Sequence, residues 1–219
     1  MSVCVENGAG DSGAGEGTGN RIRGRVVAAC FPDGGENVFA MVYGEAPGPR
    51  GADQSGVPFW GDGAGIPLYR GLEKAGRVLI PAGVWEEWDG ARLKALGWWP
   101  RLKGVALSNA YPVCPTEDGR RFRAPKRAEL KAAENGERIR RELEQGMALG
   151  MRRVVTLGRC AAMTVGDVAG EWGLEVVALP HPSSQGLLMD APGKGKGLRL
   201  ADLRVAWEER LVAAMCAGA

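Results

Sequence analysis

No C-x-x-C pair occurs anywhere in this chain. Its five cysteines, Cys4, Cys30, Cys114, Cys160 and Cys216, are odd in number and widely spaced. That pattern excludes a disulfide framework and a compact zinc site. No run of eighteen apolar residues is present, and the opening residues lack a basic stretch followed by an apolar core. A soluble, cytoplasmic protein with no membrane partner is expected. Net charge is also scarce: +2 over 219 residues does not announce a nucleic-acid binder, so any binding patch has to come from uneven placement of the basic residues. Two such placements exist. Arg120, Arg121, Arg123, Lys126 and Arg127 cluster in one loop, and Lys194, Lys196 and Arg199 among glycines in another. Each set is suited either to phosphates or simply to solvent.

With 45% hydrophobic residues the chain has enough apolar material for one core. Residues 7–20, NGAGDSGAGEGTGN, alternate glycine with small polar residues, so residues 1–20 are expected to form a flexible arm ahead of a single domain over 21–219. Within that domain, β-rich runs at 38–43, 105–107, 154–157 and 176–179 alternate with helical patterns at 66–74, 126–149 and 203–215. Such alternation predicts an α/β three-layer sandwich: a central, mainly parallel four-stranded sheet flanked by helices. The Trp- and Gly-rich stretch 76–104 has no clear period. In open sheets of this kind the binding crevice lies beyond the carboxyl ends of the strands, which directs attention to the residues after each run.

After the first run comes Gly44-Glu45-Ala46-Pro47-Gly48, then a glycine-rich stretch from Gly51 through Asp53 and Phe59 to Gly65. Such a loop lets main-chain N–H groups line a small pocket, with Phe59 offering a flat face to a base; a surface loop with Phe59 in the core is the plainer reading. The second run ends in Ser108-Asn109-Ala110-Tyr111-Pro112-Val113-Cys114. An amide side chain has donors and an acceptor, so Asn109 can match the O4 and N3–H edge of uracil, although a lone Asn more commonly caps a turn. The fourth run is followed by His181-Pro182-Ser183-Ser184, which holds the chain's one histidine. Its imidazole is suited to stabilise charge developing on a leaving base, or is a satisfied structural residue.

These three fragments, in this order, resemble the uracil-DNA glycosylase superfamily, most closely its family-five (type b) branch and next its family-four branch. The resemblance runs from about Val38 to the C-terminus. It implies an N-glycosidic bond hydrolase acting on DNA that contains uracil or another deaminated base, with the base flipped out of the stack. It places Gly44, Ala46, Phe59, Asn109 and His181 around the base, with His181 near O2. Asp53 becomes the first candidate for the attacking water and Glu45 the second, because Ala46 occupies the position of the aspartate found in other uracil glycosylases. Pro47, Gly48, Ser183, Ser184 and Leu187 are then expected to face DNA, with Leu187 or Leu188 either a wedge in the minor groove or part of the core.

Families four and five usually hold an iron–sulfur cluster on four cysteines. Here only Cys114 falls at a recognisable ligand position, and Asn135-Gly136-Glu137 stands where another is expected. No cofactor is expected, with Trp85, Trp88, Trp98 and Trp99 supplying packing in its place. A monomer is expected. A DNA-binding homologue without catalysis and a hydrolase of free nucleosides remain as alternative readings of the same motifs.

Overall fold

A computed structural model of the chain describes residues 21–216; the expected arm over 1–20 lies outside them. The central sheet contains four parallel strands: β1 (Ala40–Gly44), β4 (Val105–Asn109), β5 (Arg153–Leu157) and β6 (Glu175–Leu179), in the order β4-β1-β5-β6. Two short strands, β2 (Val78–Leu79) and β3 (Arg101–Leu102), pair antiparallel apart from it. Three of the sheet strands are buried along their whole length, as expected for a parallel sheet covered on both faces.

Alternation along the strands sorts the core into two layers. Ala40, Val42, Val105, Leu107, Val155 and Leu157 point to one face, where Leu68 and Leu72 of α2 (Gly65–Lys74) and Trp207 and Leu211 of α9 (Leu200–Cys216) cover them. Met41, Tyr43, Ala106 and Val154 point to the other, beneath Ile139 and Leu143 of α5 (Ala133–Ala148) and Ala169 of α7 (Asp167–Glu171). The expected three-layer α/β sandwich is therefore observed. A side-chain period of two supplies both layers from one set of strands.

Where the sequence predicts one helix over 126–149, the structure breaks it into α4 (Arg127–Leu130) and α5. Ala132 is extended (ψ 138°). Asn135 Nδ2 donates to Leu130 O at 3.0 Å, satisfying a carbonyl that a continuing helix would have served. The stretch 76–104 is resolved into β2, α3 (Gly90–Ala95) and β3. Its tryptophans pack against the first core layer; Trp88 is edge-on to Trp60, with ring centroids 5.0 Å apart, and stacks on Trp85 at 4.9 Å.

Residues 21–30 run beside β4 and the segment after it: Val27 N donates to Pro112 O at 2.8 Å, and Cys30 and Leu107 exchange backbone hydrogen bonds, N–H to O, at 2.8 and 2.9 Å. Part of the β4 edge is thereby covered.

Candidate active site at the carboxyl ends of the sheet

The strand order puts Asn109, Gly44, Gly158 and His181 side by side at the carboxyl ends of, or just beyond, β4, β1, β5 and β6. At a strand spacing of about 4.8 Å the outer two ends stand about 14 Å apart, a gap suited to a flat base with an inward side chain on either side.

The β4 side is the most constrained. Asn109 is 1% exposed, yet among the described residues neither its Nδ2 nor its Oδ1 has a hydrogen-bond partner. Leaving a buried amide unpaired costs about 1–3 kcal/mol for each unmet group, so this side chain is poised for a partner from outside the chain. A Cβ on Gly44 would fall 2.4 Å from Phe59 Cζ and 2.8 Å from Asn109 Oδ1. The Phe59 ring and the Asn109 amide therefore pack directly against Gly44, an approach that only glycine allows. Phe59 adopts φ +64°, unusual for a residue with a side chain; the cost, about 1–3 kcal/mol, is met by its surroundings. Gly65 allows the close approach, since a Cβ there would meet Phe59 O at 2.0 Å.

Asn109 is held from behind. Arg138 donates through Nη2 to Asn109 O at 2.9 Å and Ala110 O at 3.1 Å, and Asn135 Nδ2 donates to Ala110 O at 2.9 Å. Arg138 pairs with Glu142, whose Oε2 accepts from Tyr43 at 3.0 Å and Ser108 at 2.8 Å. This buried network fixes the backbone while leaving the Asn109 amide free.

The glycine-rich loop is organised by Asp62. Its carboxylate accepts from the N–H groups of Gly48, Gly51 and Ala52 at 3.0–3.1 Å, while Trp88 Nε1 donates to Asp62 O at 2.8 Å. Burial raises the carboxyl to about 6 despite those three donors. A Cβ on Gly48 would overlap Asp62 Oδ1 at 2.0 Å, so Gly48 serves this turn. The sequence reading passed over Asp62; an acid among consecutive glycines, where many N–H groups need an acceptor, was the available signal.

Asp53 is fully buried, and its carboxylate accepts from Arg23 N at 2.6 Å, Gly24 N at 2.9 Å and Gln54 Nε2 at 3.0 Å. The guanidinium of Arg25 donates to the carbonyls of Asp53 and Gln54. Asp53 is thus committed to the segment 21–25. Glu45 sits between the two sides: Tyr111 N donates to its carbonyl at 2.9 Å, its carboxyl accepts from the Cys160 thiol, and burial raises its pKa. Ala46 is half-buried and Pro47 buried.

On the β6 side, Ser183 N donates to His181 Nδ1 at 3.3 Å. An N–H can donate only to an unprotonated nitrogen, so the neutral ring carries its proton on Nε2. Burial lowers its pKa to about 4, which keeps the imidazole neutral at physiological pH. A Cβ on Gly186 would meet His181 O at 2.2 Å and one on Gly158 His181 Cβ at 2.9 Å; both glycines let neighbouring backbone close around the ring. Ser183 Oγ caps α8 (Ser184–Asp190) by accepting from Gly186 N at 3.1 Å, and Ser184 is exposed. Of the two readings of Leu187, the core reading is the one observed: at 4% exposure it belongs to the layer with Trp207 and Leu211.

The described residues do not fit a four-thiolate cluster. They include no group of three or more His, Cys, Asp or Glu arranged to hold a metal. Cys114 is 1% exposed, and burial, with Asp53 and Asp62 nearby, pushes its thiol up to about 12. Asn135 spends its amide on Ala110 and Leu130.

The fold and the site together define a class: an α/β protein with a buried unpaired amide and a neutral imidazole at the carboxyl ends of its sheet strands. No family model matches the chain. Over 153 residues, 70% of its length, it is 31% identical to the type-5 uracil-DNA glycosylase of Thermus thermophilus, and the match spans 58% of that protein. The similarity supports the uracil-DNA glycosylase superfamily, the same group that the three motifs resemble.

Proposed function

We propose that the chain is a uracil-DNA glycosylase-like enzyme of the family-five branch, acting as a cytoplasmic monomer with residues 21–219 as its one domain. It would hydrolyse the N-glycosidic bond of uracil or a related deaminated base in DNA. The observation that carries this reading is the Asn109 side chain, buried and unpaired at both ends beside Phe59 and Gly44.

The chemistry follows from the groups present. Asn109 Nδ2 donates to O4 of the base and Oδ1 accepts from N3–H, while Phe59 lies against its face. As the C1′–N1 bond breaks, the electron pair leaves with the base and negative charge collects on O2, where the Nε2–H of a neutral His181 stabilises it. Water then adds to C1′ of the oxocarbenium-like sugar, oriented by Glu45, and one proton is released. Asp53, first in line for the water on sequence grounds, is assigned instead to anchoring the segment 21–25, because both its oxygens are already engaged.

That engagement, together with Ala46, also favours a second reading, a homologue that binds DNA and releases nothing. Base release from a labelled oligonucleotide with uracil opposite guanine separates the two. Release that slows at least tenfold in Asn109→Ala and His181→Ala supports the enzyme; binding without release supports the alternative.

A further inference from the structure

We infer that the turn after β4, with the segment that leads into the β4 edge, is an arm that grips an unpaired strand of DNA beside the base site. The inference rests on the reading of the chain as a DNA enzyme and names the form of DNA it holds. The observations come from the run R-R-F-R at 120–123. By sequence its basic residues, with Lys126 and Arg127, form one patch. The structure divides them. Arg123 and Lys126 are tied to Glu129 and Glu117, whereas Arg120, Arg121 and Arg127 are exposed and carry no ion pair with another described residue.

Phe122 lies between Arg121 and Arg123 in the chain and is 46% exposed, so part of its ring is open to a partner. The turn that presents it is rigid. Asp118 Oδ1 accepts from Arg120 N at 2.9 Å and Arg121 N at 2.8 Å, Gly119 N donates to Thr116 Oγ1 at 3.0 Å, and Thr116 bridges to Phe122. Asp118 holds the turn's own backbone and also attracts Arg121, and Glu117 pairs with Lys126 at 2.7 Å. Arg120 and Arg121 stay exposed, with no ion pair to another described residue.

A chain of hydrogen bonds joins this turn to the loop that carries Phe59. Ile22 N donates to Gly119 O at 2.8 Å, and Gln54 Nε2 donates to Arg21 O at 3.4 Å and Pro49 O at 3.0 Å. Arg50, Arg21, Arg120 and Arg121 are exposed on the segments this path joins, while Arg23 Nε donates to Gln54 Oε1 at 2.8 Å. Exposed guanidinium groups suit phosphates, and the open aromatic face of Phe122 beside Arg121 suits a base that is not paired. A paired base stays in its stack and leaves Phe122 without a partner, which is why the arm selects a single strand.

The test is binding of a fluorescent single-stranded oligonucleotide, and of the duplex of the same sequence, over a series of salt concentrations. The proteins are wild type, the double variant Arg120→Ala/Arg121→Ala, and Phe122→Ala. All three positions are exposed, so equal melting temperatures are expected. The double variant should lower the log–log salt slope for the single strand by about 1.4, about 0.7 for each lost phosphate contact. Phe122→Ala should weaken single-strand binding at least about fivefold and leave duplex binding nearly unchanged. An unchanged slope, equal effects of Phe122→Ala on both forms, or no single-strand binding by wild type overturns the arm. Uracil release is scored on the same proteins. Release with an unchanged slope removes the arm alone, and a lowered slope without release removes the enzyme reading alone.

Discussion

Asn109, His181, Glu45 and Asp53 are all polar and all close to strand ends or their loops, yet burial and partners assign them different work. Asn109→Ala removes a buried amide without a partner among the described residues, and base release should fall by about two orders of magnitude, near 2.7 kcal/mol of transition-state stabilisation, with the melting temperature unchanged or raised because an unpaired group is lost. Single-turnover rates beside thermal melts check this, and an Asn109→Ala rate equal to wild type would sink the site. For Glu45 and Asp53 the expected outcomes are opposite. Glu45→Gln should slow release at least tenfold at little cost in stability. Asp53→Ala leaves three donors unmatched and should cost about 2–3 kcal/mol in urea unfolding; if it is instead as stable as wild type but inactive, Asp53 belongs to the chemistry. His181 is neutral down to about pH 4, so the rate should not drop as pH falls through 6.5, the region where an ordinary imidazole gains its proton.

At the scale of elements, the Gly44 end of β1 carries a sharp expectation. Gly44→Ala places a methyl 2.4 Å from Phe59 and 2.8 Å from Asn109, so the variant should fold with a displaced Phe59 ring and lose base release by tenfold or more; tryptophan and near-ultraviolet spectra report the fold and the labelled oligonucleotide reports the rate. The four sheet strands were legible because they are continuous apolar runs, and α2 and α9 because their apolar positions recur at three and four. The break at Ala132 was not legible: alanine is a strong helix former, and the interruption comes from Asn135 capturing a carbonyl across the turn. The stretch 76–104 was illegible for a related reason, since its tryptophans are spaced to reach Trp60 and Asp62 in another loop and follow no local period.

For the whole molecule, two half-buried groups oppose each other as pH changes. His181 titrates at about 4 in the fold against 6.5 in an unfolded chain; its depressed value contributes stability that is full above 6.5 and lost as pH falls toward 4. Asp62 titrates at about 6 in the fold against 3.8; its raised value contributes stability that is present below 3.8 and lost as pH rises through 6. Each shift is worth about 3 kcal/mol, so between pH 4 and 6 the two nearly cancel. His181→Gln should expose the Asp62 contribution: unfolding free energy then falls by about 3 kcal/mol from pH 4 to 6, where wild type changes far less. Urea titrations across that range check it, and parallel curves for the two proteins would show that one of the shifts is absent.

The sequence by itself determined the layered α/β order, because apolar periodicity and strand runs are local properties of the chain. It also determined which short stretches follow the strands, Gly44 to Gly65, Ser108 to Cys114 and His181 to Ser184, where the chemistry is proposed to lie. Only the tertiary structure decided the roles within those stretches. Asp53 and Asp62 are equally acidic on paper, as are Arg120 and Arg123 equally basic. Which charge is spent on backbone, which on a partner and which is left open depends on the folded path of the chain: Arg23 to Arg25, distant in sequence, for Asp53, and Glu129, across a turn, for Arg123. Leu187 follows the same rule: its apolar side chain suited wedge and core alike, and the packing of α8 against α9 placed it in the core.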